Sequence, residues 1–132
     1  MNPATGIKSV DSLSAHEFRV ELDGQAVGGV FAVQGLTSFV LDDELPPLTI
    51  TKMVQHDPAA PFNAWARASR DGSRPPRDVA VVALDEGVET RRWIYRRAVI
   101  QTVEFSDFDS ARSDLVEERI TIKADRVDEV WP

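Results

Sequence analysis

The chain contains no cysteine, which removes disulfides, thiolate catalysis and cysteine-ligated zinc or iron–sulfur centres. Its two histidines, His16 and His56, stand in no HExxH pattern, so a catalytic zinc lacks its usual ligands. No stretch approaches the roughly 20 apolar residues of a membrane span, so no membrane insertion by this chain is expected. The start lacks a basic region followed by an apolar run, so no secretory signal is visible and synthesis in the cytoplasm is the expectation. Basic residues are in deficit, 15 against 22 acidic, for a formal net charge of −7. Such a chain is a poor general nucleic-acid binder, because neutralising phosphate needs a basic surface. The excess acid either serves solubility or forms a wall that repels passing polyanions.

Catalytic constellations are missing as well. His56 stands beside Asp57, but Ser69 and Ser73 lack the strand–turn–helix pattern that presents a nucleophile. Gly24, Gly28 and Gly29 fall in a hairpin, not between a strand and a helix, so they are no phosphate loop. Asp42-Asp43-Glu44 has neither the alternate spacing nor the glycine of a calcium loop. No catalytic, cofactor-binding or metal-binding residue is therefore assigned, and the chain is not read as an enzyme.

What is present is a series of short strands. The 132 residues, 42% hydrophobic and 28% charged, are enough for one domain that buries its own core. Residues 1–15 read as an extended arm or a loose lead-in, and residues 16–132 as a single β-barrel-like domain. In His16–Leu36, Phe18, Val20 and Leu22 alternate with Arg19 and Glu21, the period of a half-buried strand. Asp23-Gly24 supplies a turn, and Val30–Val33 reads as the returning strand. Further strands are expected at Thr37–Leu41, Leu48–Val54, Arg77–Leu84, Glu89–Phe105 and Leu115–Ala124. One helix is expected at Pro61–Arg70, with Phe62 and Trp65 on its buried face and a stop at Asp71-Gly72. The segment after Ala124 reads as a tail whose Trp131 docks locally or on a neighbour. In Glu89–Phe105 strict alternation puts Trp93, Tyr95, Arg97 and Val99 on one face, with Ile94, Arg96, Ala98 and Ile100 on the other.

That long strand also carries Arg91, Arg92, Arg96 and Arg97, a basic cluster in an acidic chain. Two readings stay open. The arginines pair with acidic neighbouring strands, a surface arrangement worth little per pair. Alternatively they form, with Trp131, an inter-subunit face, since Arg and Trp are enriched at interfaces.

The order of these segments resembles the contractile-phage tail tube family, which includes the inner tubes of phage-derived injection systems. The resemblance rests on FRVELDG followed by GVFAVQGL, then LTITKMV, the aromatic-bearing FNAWARA, VAVVALDEG, and a strand with Trp93 and Ala98 at the family's marks. It covers about residues 16–125, in order. It implies a mainly β (α+β) fold, a β-barrel-like pair of packed antiparallel sheets with one flanking helix. It implies a homo-oligomer of stacked hexameric rings, with sheath, baseplate or spike, and tube-terminating proteins as partners. The lumen would conduct phage DNA or effector cargo, and no cofactor is implied. The subunit would be assembled into a phage tail or contractile injection particle. One departure is the short stretch Leu41–Leu48, stiffened by Pro46-Pro47, where the family carries a longer extension that reaches neighbouring subunits. This leaves a specialised baseplate-proximal or tube-terminal ring as an alternative, beside a small β-barrel adaptor that holds a partner or ligand.

Overall fold

The computed structural model describes residues 12–132. The expected arm over residues 1–15 therefore lies, apart from its last four residues, outside the described residues, and residues 12–15 form neither helix nor strand. Strands β1 (Phe18–Leu22) and β2 (Gln25–Val27) make an antiparallel hairpin. Asp23 and Gly24 turn it at φ 50° and 84°, the pair of left-handed residues that a two-residue turn between twisted strands requires. Strand β3 (Val30–Gln34) does not return along β1. It pairs with β4 (Leu48–Met53), with Val33 opposite Ile50. The expected two-stranded hairpin is thus corrected to a short hairpin followed by a crossing to a second sheet at Gly28-Gly29. Periodicity fixes which face a strand buries, but not which strand it pairs with.

Helix α1 (Pro61–Arg70) follows β4. Pro61 occupies its first turn, where a missing N–H costs nothing, and Arg67 and Arg70 sit in its last turn, where the dipole favours cations. Phe62 and Trp65 are fully buried, with ring centroids 6.0 Å apart, and the Trp65 indole N–H donates to the Pro75 carbonyl at 2.7 Å. Strand β5 (Arg77–Asp85) lies between β1 and β6 (Val88–Phe105), as its apolar run predicts. Strand β7 (Glu117–Lys123) pairs with β4 and with the second half of β6. The residues expected to form a tail instead make strand β8 (Arg126–Val130), which pairs with Arg92–Arg96 of β6. Thr37–Leu41, expected as a strand, is irregular, and Phe39 and Leu41 are 72% and 77% exposed. Their apolar character does not make a strand here, since none of the described strands pairs with them.

Two antiparallel sheets result, one ordered β2-β1-β5-β6-β8 and the other β6-β7-β4-β3, with the 18-residue β6 running through both. The joint is a β-bulge. Arg77 pairs with Ala98 and Val79 with Tyr95, so Asp78 opposes both Arg96 and Arg97, and Arg97 takes φ 51°. The bulge overturns the strict alternation expected for β6. Tyr95 and Ala98 are both fully buried, Arg97 is exposed, and Ile100 joins Tyr95 against the core. Between the sheets lie Val20, Leu22, Val79, Val81, Ile120 and Ile122, closed on one side by α1.

One pair of core positions is ionic. Along β4 the inward residues are Leu48, Ile50 and Lys52, all fully buried, and they face Ile122, Ile120 and Glu118 of β7. The Lys52 ammonium donates to Glu118 Oε1 at 3.1 Å and to the Met53 carbonyl at 2.7 Å. The alternation that places Lys52 inward was visible in the sequence, but the partner that makes its burial tolerable was not.

Candidate assembly surfaces

The outward face of the first sheet carries small apolar residues under a lattice of charge. Val82 stands between Arg19 and Arg92 on the flanking strands, and Ala80 between Glu21 and Ile94. Val82 and Ala80 are nevertheless buried, covered by the long side chains beside them. Arg92 donates to Glu89 at 2.7 Å and to Glu21 Oε1 at 3.0 Å, and Arg19 donates to Glu21 at 2.8 Å. Burial opposes the Glu21 charge, but the hydrogen bonds from Arg19 and Arg92 outweigh it and hold its carboxyl below the ordinary range. The hydrogen bond from Arg92 does the same for Glu89, and Arg92 itself is held more firmly protonated.

A second lattice lies at the bulge. Arg96 bridges Asp128 at 2.7 Å and Asp78 at 3.0 Å, while the Arg97 backbone N–H donates to Asp78 Oδ1 at 2.9 Å. That backbone hydrogen bond, aided by Arg96, lowers the Asp78 pKa, and Arg96 with Arg126 lowers that of Asp128. The bulge is what lets one aspartate serve consecutive residues of β6.

Arg91 points to the inner side of β6, 4.4 Å over the Trp131 ring and 6.0 Å from Trp93. Glu129 completes the group. It accepts from Ser38 Oγ at 2.6 Å and from the Trp131 indole at 2.8 Å, and lies 3.5 Å from Arg91. Trp93 donates to Ser38 Oγ at 3.0 Å, and the Thr37 N–H donates to the Tyr95 hydroxyl at 3.0 Å. These contacts fasten the connection after β3 to β6 and β8. Trp131 remains 69% exposed.

The five residues assigned from the sequence therefore fall into three groups. Arg92 and Arg96 are held by internal ion pairs, Arg91 and Trp131 stack on each other, and Arg97 is exposed at the bulge. A groove beyond them was not singled out. It runs between α1 and the second half of β6, has a volume of about 1010 Å³, and includes Arg67, Arg70, Ile100, Val103 and Phe105 in its walls. Its sequence signal is the arginine spacing in ARASRDGSR, which also reads as a helix end.

Asp57, Ser69 and Ser73 make local backbone contacts. The Asp57 carboxylate accepts from the Ala59 N–H, Ser69 donates to the Trp65 carbonyl, and Ser73 to the Ala68 carbonyl. Among the described residues no group of three His, Asp or Glu could hold a metal ion, and no helix is long and apolar enough to cross a membrane.

The sheet order, the flanking helix α1 and the shared strand give a contractile tail-tube fold, and solved structures agree. A chain from the anti-feeding prophage cap, described as a tube-terminating cap, matches with a TM-score of 0.77 and 18% identity over 92% of each chain. A chain from the extended sheath–tube complex of PVC, an extracellular contractile injection system, matches with 0.76 and 14% identity over the whole of both chains. A chain from the anti-feeding prophage baseplate matches with 0.70 and 12% identity over 91% of this chain and 96% of that one. No protein-family model and no curated protein matches the sequence. The chain is thus a tail-tube-fold protein whose sequence lies far from those structures.

Proposed function

We propose that this protein is a non-enzymatic structural subunit of the inner tube of a contractile phage tail or phage-derived injection system. It forms stacked hexameric rings, with sheath and baseplate proteins as partners and DNA or effector cargo in the lumen. The observation that carries this reading is the end-to-end agreement of its fold with a chain of a sheath–tube complex. Its acidic charge suits a lumen wall that repels polyanions, and its exposed face residues Arg97 and Trp131 suit contacts between subunits.

A second reading, a ring at the end of the tube or at the baseplate, is favoured by the connection between β3 and β4. That connection is short, runs through Pro46-Pro47, and is partly spent on the Ser38–Glu129 contact within its own chain. Light scattering and negative-stain microscopy across a concentration series separate the readings. Stacked tubes support the main-tube role, and single rings that stay unstacked support the terminal role. A strict monomer that also fails to bind sheath and baseplate proteins overturns both.

A further inference from the structure

Most arginines of this acidic chain are already spent inside it, but α1 is an exception. Arg67 and Arg70 are exposed, Arg67 donates only weakly at 3.4 Å to the Pro58 carbonyl, and no described carboxylate is in ion-pair contact with either. They border the groove against β6, whose floor is Ile100, Val103 and the half-exposed Phe105. Two carboxylates also border it. Glu118 is neutralised by Lys52, and Asp71 is the C-cap residue of α1. The groove also has an open sheet edge: β5 pairs with β6 only as far as Ala98, so among the described strands only β7 pairs with the stretch beyond it.

The complementary feature is on the loop between β6 and β7. Phe108 is 84% exposed and is flanked by exposed Asp107 and Asp109. Asp109 Oδ1 accepts from the Ala111 N–H at 2.9 Å, which fixes the turn that presents the ring. Phe108 does not line the groove of its own chain. An aromatic between two carboxylates matches a cleft with an apolar floor rimmed by two guanidiniums that have no carboxylate partner among the described residues, in charge and in character.

We propose that the α1–β6 groove receives the Asp107–Asp109 segment of a second copy of this chain. The Phe108 ring seats on Val103 and Phe105, and Asp107 and Asp109 pair with Arg67 and Arg70. Because two different surfaces meet, the contact is heterologous and closes into a ring or continues as a filament. The inference rests on the self-assembly reading above and adds the surfaces that make the joint.

The absence of cysteine allows a direct test. Ala68, exposed on the groove wall, and Ser110, exposed beside the docking segment, are each replaced by cysteine in separate chains, Ala68→Cys and Ser110→Cys. The two variants are mixed under mild oxidation. The expected product is a disulfide-linked heterodimer in excess over either homodimer. Adding Arg67→Glu and Arg70→Glu to the first chain lowers its yield about tenfold or more. Adding Asp107→Lys and Asp109→Lys to the second then restores it, which a merely misfolded variant would not allow. If the unmodified protein assembles but no heterodimer forms, or its yield ignores the charge reversal, this joint is wrong and the self-assembly reading stands. If neither assembly nor heterodimer appears up to millimolar concentration, this joint is wrong, and the tube reading falls with it if the chain also fails to bind sheath and baseplate proteins.

Discussion

Replacing Lys52 with methionine tests whether the ionic pair between the sheets is closed to water. The side chains of Lys52 and Glu118 are 0% and 4% exposed. Lys52→Met keeps most of the volume and removes the ammonium, leaving the Glu118 carboxylate in the core without its cation. Removing one partner of a buried pair costs about 3–5 kcal/mol, a large share of the roughly 5–15 kcal/mol that holds a domain together. With a urea slope of about 1.5 kcal/mol/M, the midpoint falls by about 2–3 M. Glu118→Gln is milder, because glutamine keeps an oxygen acceptor and Lys52 keeps the Met53 carbonyl. The double variant Lys52→Met/Glu118→Leu recovers most of the loss, since replacing both charges by apolar groups is often neutral or stabilising. The assay is equilibrium urea unfolding of all three variants at one low protein concentration, so that assembly does not enter. A loss under about 1 kcal/mol for Lys52→Met, or a double variant as unstable as the single one, refutes the reasoning.

Other expectations follow from the same geometry. Gly35 and Gly87 have nearly equal φ, 85° and 81°, but a Cβ at Gly35 meets the Pro47 carbonyl oxygen at 2.8 Å while one at Gly87 meets nothing within 4 Å. Gly87→Ala should cost about 1 kcal/mol from left-handed strain alone and Gly35→Ala about 2 kcal/mol or more, read by thermal unfolding; equal losses would show that Pro47 gives way. Glu21, Asp78 and Asp128 have lowered pKa values in the folded chain. Their contribution is therefore fully present above the ordinary carboxylate range, near pH 4, and is lost as pH falls through the lowered folded values. Arg92→Met removes a partner of Glu21, so its stability should fall less steeply than the parent's between about pH 5 and pH 2; parallel urea midpoints across that range would contradict this. For assembly, Arg97→Glu is a cleaner probe than Arg96→Glu, which also breaks the pairs to Asp78 and Asp128. It should weaken ring formation in sedimentation while leaving the melting temperature within a few degrees, and unchanged assembly removes Arg97 from the interface.

The parts of the fold legible in the sequence were those written as local period and punctuation. The β1 alternation, the Phe62–Trp65 face of α1, the apolar run of β5 and the Glu86-Gly87 turn are of this kind. Pairing was less legible, since nothing in VFAVQ says that it belongs beside Ile50 instead of Val20. Strand β8 was hidden because Arg126, Asp128 and Glu129 read as a solvated tail, although all three are strand residues: Arg96 answers Asp128, Arg91 answers Glu129, and Arg126 pairs with Asp128. The bulge was hidden because the residue taking positive φ is arginine, not the expected glycine. As for the candidate surfaces, the arginine cluster was found, but its division into internally paired and exposed members needed the neighbouring strands. The α1 groove is formed by segments some thirty residues apart.

The bulge at Arg97 gives β6 two reading phases, one for each sheet. Ahead of it Tyr95 turns inward, and beyond it Ala98 does so three residues later instead of two or four. Deleting the single residue Arg97 would leave one unbroken alternation, with Tyr95, Ala98 and Ile100 still inward, but would remove the bend that carries β6 from one sheet into the other and the backbone contact to Asp78. Chain length at this point is therefore constrained more tightly than chemistry: many side chains would be tolerated at the exposed position, but not its omission.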